Sequence, residues 1–361
     1  MLAVGLTIAW SVIPARAAGS WWVSGPIGSP KLSAVASDQG SATLAISKGT
    51  PGWYSPTSGR FTPLRAPFGP GSRLNPAVAV AAVGRQGVVA YREGQLVEVS
   101  EGGTLRLLPS VRGVPRAVAV AGRDPEIVAV ATSRGLFSGW LGRPYTRAAS
   151  GASRAVIAPP TLGRAWLALV NGRLWERPPG RGWAMDSASP NFGLQTGAVA
   201  ELSSGVILVG QPGGLIWRAY RGRWSRAFQI LPYGGLRSVP PVTSLAADGA
   251  TSAYVGTDGF GTLLTPDGGY SWYRVPPPDS AITSLATLGP VFSAKAHGFV
   301  VALASGRVFL HHLQPLPEPP TYTPTAEAAE LVGTAAVTLA AVLLVVLLLW
   351  LLTRRQRRLS V

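Results

Sequence analysis

Chemistry needs nucleophiles, acids, bases or metal ligands at workable spacing, and this sequence supplies few of them. There is no cysteine, which removes thiolate nucleophiles, thiolate metal sites and disulfides together. His311 and His312 are adjacent, so on a strand they face opposite sides, and His297 has no near partner; a shared metal ion is not expected. The acidic residues Glu93, Asp124, Asp258 and Asp267 fall in apparent turns, and no pair suited to acid–base work or glycosidic cleavage emerges. Asp258, within Thr257-Asp258-Gly259-Phe260, reads as a hairpin residue. Phosphate-cradling loops, zinc spacings and a Gly-x-Ser-x-Gly elbow are absent. The expectation is a protein without catalysis, cofactor or metal.

What the chain has in excess is arginine. Lys and Arg number 32 against 16 acidic residues, a formal net charge of +16, and lysine occurs only at Lys31, Lys48 and Lys295. Such a surface favours anionic partners. Only 13% of residues are charged, whereas Gly and Pro number 44 and 32, which excludes a coiled coil or helical bundle. A 47% hydrophobic content with 12 Trp excludes wholesale disorder. A turn-rich all-β protein follows.

The elements that would carry the arginines repeat. An apolar alternating run starts at Leu32, Ala77, Ala117, Ala155, Ala198, Thr243 and Thr283, at intervals of about forty residues, the size of one four-stranded propeller blade. Each run is followed by a second, such as Gly87 to Tyr91 or Ala165 to Val170, and by a third, such as Leu96 to Val99 or Leu215 to Trp217. A fourth often opens with an aromatic after a glycine-containing turn, as at Trp183, Trp224 and Trp272. The last copy lacks a fourth strand, while Trp21 to Val23 stands alone before the first. Pairing that segment with Val308 to Leu310 removes an open sheet edge. The expected fold is therefore an all-β, seven-bladed β-propeller over residues 19–314, closed by the N-terminal strand, plus one C-terminal transmembrane helix.

The ends speak to location. Residues 1–18 hold an apolar run and an Ala15-Arg16-Ala17 triplet, the pattern of a signal peptide. Residues 315–330 are proline-rich and predict a semi-rigid stalk. Residues 331–352 carry no charge and, at about 1.5 Å per residue, reach roughly 33 Å, enough to cross a bilayer core. Residues 353–361 contain Arg354, Arg355, Arg357 and Arg358, a cluster expected to stay cytoplasmic. The propeller is expected outside the cell membrane.

Thr265-Pro266-Asp267-Gly268-Gly269-Tyr270-Ser271-Trp272 resembles the Asp-box, the Ser-x-Asp-x-Gly-x-Thr-Trp turn of bacterial neuraminidase repeats, and Ser100 to Thr104 looks like a worn copy. The blade style is also similar to photosystem II stability and assembly factor propellers. The resemblance implies a structural turn built on Thr265, Asp267, Gly269, Ser271 and Trp272, within a non-enzymatic binding or assembly scaffold. Because Asp-box propellers include sialidases, the alternative it implies is a sialidase-like glycan hydrolase.

Propellers recognise partners with the loops joining strands two to three and four to one, which share a face. Those loops are expected to bring Lys48, Arg73, Arg92, Arg112, Arg134 and Arg237 to one side. An acidic protein surface or an anionic cell-surface polymer would suit that face; nucleic acid is not expected for an exported domain.

Overall fold

The structure, a computed structural model, describes residues 22–24, 31–37, 43–55, 58–64, 76–83, 86–121, 127–159, 163–230, 239–248, 250–275, 282–288, 297–303 and 308–313. All regular elements among them are strands. β1 (Trp22–Ser24) precedes a first blade of β2 (Leu32–Ser37), β3 (Thr43–Ser47), β4 (Thr50–Tyr54) and β5 (Phe61–Pro63). The second comprises β6 (Ala77–Val83), β7 (Gln86–Tyr91), β8 (Leu96–Ser100) and β9 (Leu105–Leu108). The third comprises β10 (Pro115–Ala121), β11 (Ile127–Thr132), β12 (Gly135–Trp140) and β13 (Thr146–Ser150). The fourth has β14 (Ser153–Ile157), β15 (Trp166–Val170), β16 (Arg173–Arg177) and β17 (Ala184–Met185). The fifth has β18 (Ala198–Glu201), β19 (Ile207–Gly210), β20 (Leu215–Tyr220) and β21 (Arg223–Gln229). The sixth has β22 (Val242–Asp248), β23 (Ser252–Thr257), β24 (Thr262–Thr265) and β25 (Tyr273–Val275). The last strands are β26 (Ile282–Leu288), β27 (His297–Leu303) and β28 (Val308–Leu313).

The expected architecture of seven blades plus a transmembrane helix needs correction. Six sheets, β2 to β25, are each one continuous antiparallel meander. The remaining sheet is composite, in the order β1-β28-β27-β26, its fourth place taken by the N-terminal strand. In it Trp22 pairs with His311, Val23 with Leu310 and Ser24 with Phe309. No helix long and apolar enough to cross a membrane is present among the described residues. The signal segment 1–18, the stalk 315–330, the span 331–352 and the tail 353–361 lie outside them, as does Trp21.

The order of the sequence pattern explains where the core sits. First strands of neighbouring blades touch one another, β2 on β6, β6 on β10, β10 on β14, and so on through β18 and β22 to β26 and back to β2, so they are the innermost. Near the axis the sheets converge, and the small Ala77, Ala79, Ala81 and Ala119 suit that crowding. Second strands are covered on both faces by adjacent sheets. Hence they read as unbroken apolar runs rather than alternating ones, as in β15, where Trp166 to Val170 are all buried. The core is therefore between blades: Val88, Ala90 and Leu96 of the second meet Val118, Val128, Val130 and Phe137 of the third. Each such Val, Leu or Phe contributes about 1.5–3 kcal/mol on burial, and none of it is available to an isolated blade.

One irregularity recurs. The innermost strand slips by one residue near its start, between Leu32 and Ala34, Ala77 and Ala79, Pro115 and Ala117, Ser153 and Ala155, Val242 and Ser244, and Ile282 and Ser284. A bulge of this kind bends the strand and re-aims the extra side chain.

Candidate functional site

The turns joining second to third strands and the crossovers joining fourth to first share one end of the ring, here termed the upper face. Lys48-Gly49 closes a two-residue hairpin between β3 and β4, with φ of 50° and 80°. Positive φ at both positions matches the twist of the strands. The Gly49 carbonyl accepts from Ala77 N at 2.9 Å, and the Pro76 carbonyl accepts from Arg92 N at 3.2 Å. The Gly94 carbonyl in turn accepts from Val111 N at 2.9 Å. Gly94 has φ +88°, and a Cβ there would meet the Val111 carbonyl oxygen at 2.1 Å, so only glycine allows this approach.

The series continues at Thr132. Its buried hydroxyl lies 3.0 Å from the carbonyl oxygens of Arg112 and Gly135, either of which takes its proton, and it accepts from Arg134 N at 3.1 Å. Lys48, Arg92, Arg112 and Arg134 are thus exposed on one continuous arc across the first three blades, held by hydrogen bonds that spare their side chains. Arg73 and Arg237 lie outside the described residues. Exposed Glu93 shares the Arg92 turn. Asp258 occupies the corresponding turn of the sixth blade, where its N–H donates to the Pro241 carbonyl at 3.0 Å. The face is therefore basic over an arc, not all round.

Two further arginines were missed by the sequence reading. Arg116 and Arg154 are the bulge residues of adjacent innermost strands, at the upper mouth of the ring axis. Burial first, and the neighbouring Arg154 charge second, push the Arg116 guanidinium below its ordinary range. Its buried Nη1 has no hydrogen-bond partner among the described residues. Arg154 donates through Nε to the Leu194 carbonyl at 3.2 Å and through Nη2 to Gln195. Two like charges held together, one incompletely partnered, add to the attraction for an anion.

The Asp267 turn is on the opposite, lower face. Asp267 Oδ1 accepts from Thr265 Oγ1 (3.0 Å), Tyr270 N (2.9 Å) and Ser271 N (2.8 Å). Gly269 N donates to Thr265 Oγ1 at 2.7 Å. Trp272 Nε1 donates to the Gly269 carbonyl at 3.1 Å, and the ring stacks on Phe228 of the fifth blade at 5.7 Å. Asp267 spends its carboxylate inside the turn, and Arg218 of the fifth blade caps the Gly268 carbonyl at 2.6 Å while lying over the Tyr270 ring. The arrangement joins blades, with the Asp267 Oδ1 bonds holding the turn that carries Trp272.

No protein-family profile and no curated protein sequence matches the chain. Solved structures do. YCF48 bound to D1 peptide aligns with a TM-score of 0.60 at 14% identity, over 86% of this chain and 100% of that one. U3-55K aligns with a TM-score of 0.62 at 14% identity over 81% and 98%. Virginiamycin B lyase from Staphylococcus aureus aligns with a TM-score of 0.59 at 9% identity over 81% and 98%. At such identities the likeness shows a β-propeller and nothing finer.

Proposed function

We propose that the chain is a non-enzymatic binding or assembly scaffold whose upper face receives an acidic segment of a partner protein. The observation that carries this reading is the arc of Lys48, Arg92, Arg112 and Arg134, extended inward by Arg116 and Arg154. The arc is rigid because its backbone is bonded loop to loop, so binding does not have to order it. A propeller of the same fold, YCF48, is known with a D1 peptide bound, which supports a peptide as the class of occupant. The Asp-box-like turn around Asp267 is a blade-joining device in this reading. The uncharged segment 331–352 and its trailing arginines would anchor the scaffold to the cell membrane, with the propeller outside.

A fluorescein-labelled decaglutamate peptide serves as the probe. It should bind the full-length chain at low salt, with affinity falling as salt rises. Reversal of Arg92, Arg112 and Arg134 to Glu should weaken binding at least tenfold and flatten the salt dependence, with folding intact, since exposed arginines contribute little to stability. Reversal of Arg181, in a lower-face turn, and of Arg223, which opens β21 at the same face, is the control. Losses that are the same per reversed charge in both sets would mean that net charge alone acts and that the face has no role.

A further inference from the structure

We propose that the cleft on the lower face between the fourth and fifth blades binds a saccharide. It has a volume of 510 Å³ and is lined in part by Arg164, Glu176, Pro178, Glu201, Ser204 and Tyr220. Glu201, the last residue of β18, is only 6% exposed, and its Oε2 has no hydrogen-bond partner among the described residues. An orphan carboxylate oxygen at this depth is costly unless something donates to it.

A candidate donor, Arg164, is engaged elsewhere. Arg164 is close enough for its charge to act on Glu201, yet no ion pair joins them. Its Nη2 donates instead to the Ser203 carbonyl at 3.0 Å. The guanidinium also rests on Gly205, where an added Cβ would meet Nη1 at 2.3 Å. A hydroxyl can bridge a carboxyl and a guanidinium that face one cleft without touching, accepting from the guanidinium and donating to the carboxyl.

The chemistry of the lining selects among ligands. A simple cation is opposed by Arg164 and by Arg221, which lines the same cleft, and a simple anion by Glu176 and Glu201. A metal ion would want three or more ligating side chains, and no such cluster occurs among the described residues. A neutral polyol meets all the polar groups at once. Burial, more than the opposing Arg164 charge, pushes the Glu201 carboxyl up to about 7, so near neutrality it can donate as well as accept. Pro178 and the part of the Tyr220 ring, 37% exposed, that Arg218 and Arg221 leave uncovered offer apolar surfaces to the C–H faces of a sugar. The site is on the face opposite the basic arc, so either proposal stands or falls without the other.

The test uses the full-length chain in a sugar-free detergent with chitotriose, cellotriose and maltotriose as probes, read by saturation-transfer NMR and calorimetry. At least one should bind. Glu201→Leu and Arg164→Met should each weaken it tenfold or more, about 1.4 kcal/mol, the former without lowering the melting temperature. Glu201→Gln, whose amide both donates and accepts, should retain binding. Should Glu201→Leu not fold, Tyr220→Ala, at an exposed position, must show the same loss. Absence of binding by all three sugars at about 10 mM, or variants that bind like the wild type, overturns the proposal and leaves the gap to water.

Discussion

Replacing Glu201 with Gln should change how the stability of this protein depends on pH. The carboxyl is almost wholly buried, has an orphan oxygen, and titrates at about 7 in the fold against an ordinary 4.5. The folded state therefore holds this proton more tightly than the unfolded state does. Stability from the group is full below about pH 4.5, declines as pH rises, and is lost once pH passes about 7. With roughly 1.4 kcal/mol for each unit between the two values, the loss is on the order of 3 kcal/mol at most. That is a sizeable part of a total of about 5–15 kcal/mol. Glu201→Gln does not titrate, so it should match the wild type near pH 4.5 and exceed it at pH 8, by roughly 5–10 °C in melting temperature. Glu176 is raised as well, by burial and then by Asp186, and its charge helps raise Glu201, so the difference between the two proteins reports Glu201 together with that coupling. Tryptophan-fluorescence melts of the full-length proteins from pH 4.5 to 8 at constant ionic strength would measure it. A difference that is the same at both ends of that range would refute the reasoning.

Gly94→Ala should cost roughly 2–3 kcal/mol, from the left-handed backbone and the lost Val111 bond, whereas Gly182→Ala, with open space around the new methyl, should cost little; urea midpoints compare them. Asp267→Ala removes three hydrogen bonds to one carboxylate oxygen and should destabilise by about 2–4 kcal/mol. A melt that is unaltered would show the turn to be dispensable. Arg116→Met removes a like charge facing Arg154 and should leave the melting temperature equal or higher, while weakening decaglutamate binding; a lower melting temperature would contradict the placement of Arg116.

The repeat was legible because the same packing problem recurs. Innermost strands must be small and apolar, and second strands must be apolar on both faces, which writes Ala-Val alternation followed by runs such as Trp166 to Val170 into the sequence. The Asp267 turn was equally legible, since its bonds are local. The bulges were not. Ala117 and Ala155 open the apolar runs, and the arginine just before each one looks like a loop residue until strand pairing shows that it is the extra residue in an innermost strand. Glu201 was overlooked for a related reason: it ends an apolar run and reads as part of the turn beyond, while Arg164 and Glu176 meet it only across the junction of the fourth and fifth blades. Trp183 and Trp272, expected to open fourth strands, sit just before β17 and β25, because their indole N–H groups are satisfied across the turn or by the neighbouring blade. Trp183 donates to Ser138 Oγ at 3.0 Å and Trp272 to Gly269.

The two faces differ in how their polar groups are held, and this decides what each can do. On the upper face the loops are fixed by main-chain bonds such as Gly49 to Ala77 and Gly94 to Val111, which leaves the side chains of Lys48, Arg92, Arg112 and Arg134 free to be changed without cost to the fold. Such a surface can follow a partner by exchanging charges at exposed positions, each worth little to stability. In the lower cleft the reverse holds. Glu201 is set by the end of β18 and Arg164 by its hydrogen bond to the Ser203 carbonyl and its seat on Gly205, so neither can move without disturbing the junction of two blades. An arrangement that keeps a carboxyl buried and incompletely partnered weakens the protein at neutral pH. Its removal would stabilise the fold, so a structural role does not account for it, and a ligand that supplies the missing donor does.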